Sequence, residues 1–170
     1  ASLLLADLRL VGGSGGAAQF NVQADSALTL QHVQMDGGVI TSAGFVSVLD
    51  SILTNAQMTN NAGTATLTLS GGTATSSAVT IGSGTATASS CELVDSPVVV
   101  SRAQEPGSLS LAQCQLQSDG SSVPLTVQAG GFATIRASEF QSTAGDDITA
   151  VSVEEGGTLT VGQSQLVHVD

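Results

Sequence analysis

The sequence predicts an all-β fold: a right-handed, single-stranded parallel β-helix (a solenoid) of about eight rungs without major helices, each rung being one turn of the coil. A nine-residue pattern recurs along the 170 residues, and its apolar positions alternate with polar ones. Successive copies start too close together for a strand–helix–strand unit of about 30 residues. We expect one domain, residues 1–170, forming a segment of a longer chain or assembly.

The pattern has apolar residues at positions 2, 4 and 9, and its eight copies begin at residues 2, 27, 45, 66, 85, 108, 132 and 158. Alternation at positions 2 and 4 is typical of a strand with one buried face, because successive side chains point to opposite sides. The three-residue step from position 4 to position 7 predicts a bend between two short strands, after which the alternation resumes.

A second apolar pair follows most copies and predicts a further strand in the rung. The pairs are Phe20/Val22, Val79/Ile81, Val98/Val100, Leu125/Val127 and Val151/Val153, and the copies at 27 and 45 are less regular. A glycine directly precedes five copies, namely Gly44, Gly84, Gly107, Gly131 and Gly157. We expect tight turns with positive φ at these glycines.

Parallel stacking of the copies, about 4.8 Å apart, places equal positions over one another. Position 2 then forms the column Leu3, Leu28, Val46, Leu67, Ala86, Leu109, Ala133 and Leu159. Position 9 forms the column Leu10, Met35, Leu53, Ala74, Leu93, Leu116, Phe140 and Leu166. Each buried Leu or Val contributes about 1.5–3 kcal/mol, so these columns stabilise the fold without any ligand.

The repeated rung pattern resembles that of right-handed parallel β-helix proteins, which include pectate-lyase-like enzymes, phage tailspikes and bacterial autotransporter passenger domains. The resemblance covers nearly the whole chain, and it implies the fold and not an activity. A right-handed coil is also what parallel connections overwhelmingly adopt.

The composition excludes several classes of partner. There are 14 Asp and Glu residues against 3 Arg and no Lys, which gives a net charge of −11, and only 2% of residues are aromatic. Few cations and few rings remove phosphate contacts and base stacking, so we predict no nucleic-acid partner. The apolar runs are far shorter than the ~20 residues of a membrane-spanning helix, so we predict no membrane insertion.

No catalytic, metal or cofactor site is predicted, and we expect that the chain is not an enzyme. Arg136 has Ala112 and Gly162 as its expected neighbours in the adjacent rungs, and neither is a carboxylate. The pairs Asp146/Asp147 and Glu154/Glu155 lie on either side of a strand, too far apart to chelate one ion. His32 and His168 have no companions for a zinc site or a Ser/His/Asp arrangement and are expected to be solvated.

Outward positions 1 and 3 are rich in hydroxyl side chains, which form a candidate ligand-binding surface. We call this surface the Thr/Ser face; it comprises Thr66, Thr68, Thr85, Thr87, Ser108, Ser110, Thr158 and Thr160. A regular hydroxyl array is the kind of surface that ice-binding β-solenoids present, but Thr is also favoured on any exposed β-surface. Phe45 and Phe132 interrupt the array at position 1 and are candidate contact residues.

Cys91 and Cys114 both occupy position 7, in adjacent rungs. Stacked Cα atoms about 4.8 Å apart fall within the range that a disulfide permits. The two side chains are predicted either to form a bridge between rungs in an oxidising compartment, or to remain reduced as small core side chains.

Three function classes follow from these observations. The leading one is a structural or interaction module, with protein partners or further rungs at the ends of the solenoid. Residues 51–91 carry no charge and are a candidate contact band, because charges are depleted in interface cores. The alternatives are ligand or ice binding by the Thr/Ser face, and an unusual polysaccharide-active enzyme. An extracellular or cell-surface location is favoured.

Overall fold

The computed structural model describes residues 1–11, 18–142 and 149–168, and within these ranges the chain is a parallel β-solenoid of strands and turns with no helix. The predicted all-β solenoid is therefore confirmed. Its strands are β1 (Ser2–Ala6), β2 (Arg9–Val11), β3 (Gln19–Val22), β4 (Ala27–Gln31), β5 (Gln34–Ser42), β6 (Phe45–Leu49), β7 (Ile52–Asn60), β8 (Thr66–Ser70), β9 (Thr73–Thr75), β10 (Ala78–Ile81), β11 (Gly84–Ser89), β12 (Glu92–Val94), β13 (Val98–Val100), β14 (Gly107–Ala112), β15 (Gln115–Ser118), β16 (Leu125–Val127), β17 (Phe132–Arg136), β18 (Glu139–Ser142), β19 (Val151–Val153), β20 (Thr158–Gly162) and β21 (Gln165–His168).

The first face of the coil is an eight-stranded sheet in the order β1-β4-β6-β8-β11-β14-β17-β20. Each strand pairs in parallel with the next, and position 2 of every copy lies opposite position 2 of its neighbour, as in Leu28 opposite Val46 and Ala86 opposite Leu109. All eight copies of the pattern therefore have a strand on this face. The coil completes about six turns instead of the predicted eight rungs, a minor difference.

The remaining strands form one sheet that folds around the other two faces. The second face carries β2, β9, β12, β15, β18 and β21, and the third carries β3, β10, β13, β16 and β19. The nine-residue strands β5 and β7 run along both faces and join them. The position 9 column lies on the second face, with Met35 opposite Leu53 and Leu93 opposite Leu116.

The third face contains the second apolar pair of each rung, including the two rungs where the sequence was less regular. There, Ile40 and Met58 complete the apolar column that continues into Val79. The next inward column contains the buried polar residues Ser42 and Asn60. The Asn60 Nδ2 donates to the carbonyl oxygens of Ala65 at 3.2 Å and Thr85 at 3.1 Å, so it fastens the turn that follows its strand.

Aliphatic side chains fill the interior, and the alternation of burial follows the predicted pattern. In β14 the inward residues Leu109 and Leu111 are 3% and 1% exposed, whereas the intervening Ser110 is exposed. Towards the two ends of the coil the inward side chains become accessible, as Leu3 and Val161 show. The core is therefore a continuous apolar column that is open at both ends of the described structure.

The predicted bend between the first and second faces is made by a single residue in the left-handed region. It falls at position 6 in all eight copies: Asp7, His32, Asp50, Gly71, Ser90, Gln113, Ala137 and Gln163, with φ between 45° and 66°. Seven of these residues donate their N–H to a carbonyl of the following rung, for example His32 to Leu49 at 3.0 Å. The bond ladder thus continues through the bend, which offsets the strain of about 1–2 kcal/mol that a left-handed non-glycine residue carries.

The glycines before the rungs are placed as predicted, but the predicted reason is wrong for four of the five. Only Gly84 has positive φ, at 78°. At Gly44, Gly107, Gly131 and Gly157 a Cβ atom would lie within 3.0 Å of a main-chain oxygen. These four are glycine because the chain crosses close to the backbone of the preceding rung, so that no side chain fits.

Buried serines complete the hydrogen bonding at the corners. Four serine hydroxyls each accept a hydrogen bond from a main-chain N–H of an adjacent rung and donate one to the carbonyl oxygen two residues earlier. They belong to Ser51, Ser77, Ser96 and Ser138. We call this arrangement the corner serines. Each hydroxyl satisfies a main-chain donor that the bend removes from the regular strand ladder, as buried polar groups require.

Replacing Ser96 by Ala is expected to lower the free energy of unfolding by about 1–3 kcal/mol, because it leaves the buried N–H of Ser77 without its 3.0 Å partner. Chemical denaturation of the Ser96→Ala variant measures this loss. Ser110→Ala, on the exposed outer face of β14, is the matched control and should change stability by about 0.5 kcal/mol or less. Equal losses in the two variants would contradict the role assigned to the corner serines.

Candidate functional site

The Thr/Ser face lies on the outer side of the first sheet. Its position 3 residues Thr68, Thr87 and Ser110 are opposite one another in adjacent strands. The position 1 residues Thr66, Thr85 and Ser108 form a parallel column beside them, and all six are exposed or half-buried. Between adjacent strands the Thr87 hydroxyl donates to that of Thr68 at 3.5 Å.

Two aromatic rings border this hydroxyl surface, because Phe45 and Phe132 occupy position 1 on either side of the Thr66, Thr85 and Ser108 column. Their residues are 52% and 45% exposed. Four strand spacings separate them, or about 19 Å. Thr158 and Thr160 lie beyond the strand of Phe132, so the face consists of a contiguous central part and one outlying strand.

Cys91 and Cys114 are stacked in adjacent rungs, as their shared position predicts. Both are free and buried, 6% and 2% exposed, and their sulfur atoms are 3.0 Å apart. The Cys114 sulfur also lies 3.4 Å from the carbonyl oxygen of Ala112, two residues earlier. The same relation is seen at the corner serines, so these cysteines replace serine in the corner arrangement.

The hydrogen bond between the two side chains separates their acidities. Donation by the Cys91 side chain lowers the pKa of the Cys114 thiol to about 7, against the opposing effect of burial. The same bond, together with burial, raises the pKa of Cys91. Cys114 is therefore the residue of this pair that more readily becomes a thiolate, the reactive form of the side chain.

A shallow depression of about 760 Å³ lies beside the two cysteines. Its lining includes both thiols, the carboxylates Glu92 and Glu139, and Gly72. Gly72 occupies position 7 in the rung next to Cys91, and a Cβ atom there would lie within 3.0 Å of the main chain of Ser51, so no side chain fits. The depression gives small molecules in solvent a route to the edge of the thiol pair.

His32 is largely exposed, as predicted, and its ring also has two carboxylate neighbours. Its Nδ1 lies 3.2 Å from the Asp7 carboxylate and its Nε2 lies 3.9 Å from that of Asp50. The three residues stack in the position 6 column, in three successive rungs, and remain largely exposed. Because the two ring nitrogens face different carboxylates, the groups form a row across the rungs and do not converge on one point.

The other charged residues remain dispersed. Arg136 has Ala112 and Gly162 as its neighbours in the adjacent strands, as the register predicts. Glu154 accepts a hydrogen bond from the Gln128 side chain at 3.3 Å, while Asp146 and Asp147 lie outside the described residues. In the described part of the chain, no three His, Cys, Asp or Glu side chains are grouped so that they could hold a metal ion.

The uncharged residues 51–91 form a band around the coil. They include β7, β8, β9, β10 and β11, and so cover all three faces over about two turns. Of the three strands that carry the central part of the Thr/Ser face, β8 and β11 lie within this band and β14 lies outside it. Across the described ranges, no helix is long and apolar enough to cross a membrane.

Comparison with known proteins does not identify a relative: no family model, curated protein or solved structure matches the chain. We therefore infer function from the geometry of this molecule.

Proposed function

We propose that the chain is a non-catalytic structural and interaction module, a β-helix rod that contributes length and contact surface to a larger surface, secreted or multi-subunit assembly. The observation that carries this proposal is the unbroken parallel register through all eight strands of the first face. Such a coil is built by repetition, and each rung is stabilised by the rung beside it.

The two ends of the coil support the proposal. β1 and β20 are the edge strands of the first face, with a neighbour on one side only. Their inward residues Leu3 and Val161 are 49% and 54% exposed, although the equivalent residues in the middle rungs are buried. Exposed strand edges beside apolar surface are the usual template for pairing with another strand, and we propose that further rungs or protein partners cover them.

The arrangement of charged groups also supports a non-catalytic role. Acid–base catalysis of glycoside cleavage uses two carboxylates placed about 5–10 Å apart around the scissile bond. Here several carboxylates bind neighbouring polar side chains: Asp7 binds His32, and Glu139 binds Gln141 and Gln165. These contacts fasten neighbouring residues and rungs to one another.

The experiment is a measurement of the particle mass of the protein isolated from its source. We expect a particle containing more than this one polypeptide, and we expect Leu3→Glu with Val161→Glu to break it up, because charges then lie where apolar rungs meet. Thr29→Glu with Thr134→Glu places the same charges on the side of the rod, outside residues 51–91, and is the matched control. A single-polypeptide particle that cleaves polysaccharides would contradict the proposal.

A second candidate function is ligand binding by the Thr/Ser face, with ice as its most specific form. The observation that favours it is the register of the central hydroxyl columns, which repeats at the strand spacing of about 4.8 Å and brings Thr68 within hydrogen-bonding distance of Thr87. Measurement of thermal hysteresis in freezing solutions tests the ice-binding form. A protein without thermal hysteresis would contradict it.

A further inference from the structure

The described interior contains a chemically reactive group that the proposed function does not use. It is the thiol pair at the corner between β11 and β12 and between β14 and β15. The sulfur atoms of Cys91 and Cys114 are 3.0 Å apart, about 1 Å more than a disulfide bond length. Their rungs are adjacent, since Glu92 pairs with Gln115 directly after the two cysteines. The Cα separation that the strand spacing gives, about 4.8 Å, lies within the disulfide range.

The pair is buried, at 6% and 2% exposed, but both residues line a depression of the surface. The depression beside it, about 760 Å³, is open to solvent and larger than a small disulfide molecule. Cys91 and Cys114 are both among its lining residues, so a reagent in the depression lies beside the pair. Since Glu92 and Glu139 also line the depression, it suits a neutral or cationic reagent better than an anionic one.

We propose that Cys91 and Cys114 are a thiol–disulfide modification site, at which a small neutral disulfide converts the stacked thiols into a reversible bridge between two rungs. This modification would occur within the rod itself and does not depend on the proposed function. It assigns to the pair a covalent role that serine, which occupies this position at residues 51 and 138, cannot perform.

The reaction balances as two successive exchanges. The Cys114 thiolate attacks one sulfur of the small disulfide, the S–S bond of the reagent breaks, and one reagent thiolate leaves, giving a mixed disulfide on Cys114. Cys91 then loses its proton to solvent and attacks the Cys114 sulfur, and the second reagent thiolate leaves. The protein loses two electrons and the reagent is reduced to two thiols. The lowered pKa of Cys114 favours it as the first nucleophile.

The bridge should form far more readily in the folded chain than in the unfolded one. Folding holds the two sulfur atoms in contact, whereas in an unfolded chain they must close a loop of residues 91–114. Native disulfides in such loops typically favour the bridge by roughly 30- to 1000-fold over the unfolded chain. By linkage, the bridged protein resists unfolding by the same factor.

The experiment equilibrates the purified full chain with 2-hydroxyethyl disulfide and its thiol at graded ratios, with and without denaturing urea. Bridged and free thiols are then counted by alkylation and mass spectrometry. We expect the bridge-forming equilibrium constant to be at least about tenfold larger in the folded chain. A smaller ratio, or a folded chain that keeps both thiols free under the most oxidising conditions, would overturn the proposal.

Serine variants provide the controls, because serine already occupies position 7 at residues 51, 138 and 164 and therefore fits the corner. Cys91→Ser is expected to stop at the mixed disulfide on Cys114, and the double variant is expected to take up no reagent. In both variants the oxidant should leave the thermal midpoint unchanged, while wild-type protein gains about 5–10 °C. An equal gain in the double variant would show that the stabilisation does not come from a bridge.

Discussion

The Leu111→Glu variant is expected to lose its cooperative fold. Leu111 is 1% exposed in the middle of the apolar column, between Ala88 and Ile135 in the neighbouring strands. The substitution removes about 1.5–3 kcal/mol of apolar burial. It also leaves a carboxylate without a partner in the interior, which costs about 3–5 kcal/mol. The sum is comparable with the about 5–15 kcal/mol that stabilises an ordinary domain.

Ser110→Glu is the matched control, because it places the same charge one residue away on the outer side of the same strand. We expect this variant to stay folded and to lose about 1 kcal/mol or less. Circular dichroism during urea unfolding distinguishes the two variants. A folded Leu111→Glu variant, or equal damage from both substitutions, would contradict the assignment of inward and outward positions.

The second large effect is expected at Gly107, where Gly107→Ala should destabilise the coil by about 1–3 kcal/mol or more. A Cβ atom at this residue would lie within 3.0 Å of the carbonyl oxygens of Ile81 and Ser101. Both oxygens belong to the main chain, so neither can rotate away, and the rungs must separate locally. The free energy of unfolding from urea titration measures the effect.

Gly162→Ala is the matched control for this prediction. Gly162 also lies in a strand of the first face, but a Cβ atom there would meet nothing within 4 Å. We expect a change of about 0.5 kcal/mol or less. Similar losses at both glycines would mean that the close passage of the chain at Gly107 is not what excludes a side chain there.

Much of the fold follows from the sequence because the stacked columns are each nearly uniform. Leu28, Val46 and Leu109 share an inward position in the pattern, and the structure pairs their strands in the predicted register. The stacking of Cys91 and Cys114 could be predicted although position 7 has a mixed composition. The register of the aliphatic columns determines which residues are adjacent at every other position of the rung. Repetition thus made long-range contacts predictable from local periodicity.

The corner conformation could not be predicted, because the residues there have no common chemistry. Position 6 is left-handed in every copy, yet it is occupied by Asp, His, Gly, Ser, Gln and Ala. Only Gly71 has the residue type that this conformation favours. Hydrogen bonds between adjacent rungs, such as that from His32 to Leu49, impose the left-handed conformation. The local sequence at position 6 does not determine it.

The contact between His32 and two aspartates could have been predicted, because the same register already places Asp7, His32 and Asp50 in one column. All three side chains remain largely exposed, so the prediction that His32 is solvated is confirmed beside these contacts. The candidate thiol site was visible in the sequence as two cysteines at one position. Its depression was not, since its lining combines residues of four rungs, among them Gly72, Glu92 and Glu139.

The central claim is that equal positions of successive copies lie over one another in a parallel coil. Spin-label distance measurements test it most directly, with Thr29 labelled in combination with Ser110, Thr134 or Thr160 in a chain whose two cysteines are replaced by serine. The strands that carry Ser110, Thr134 and Thr160 lie four, five and six strands away from the strand that carries Thr29. The stacked register predicts that the distance between the two spin labels rises linearly, by about 4.8 Å for each added strand. Distances that fail to increase from Ser110 through Thr134 to Thr160, as antiparallel hairpins would give, would contradict it.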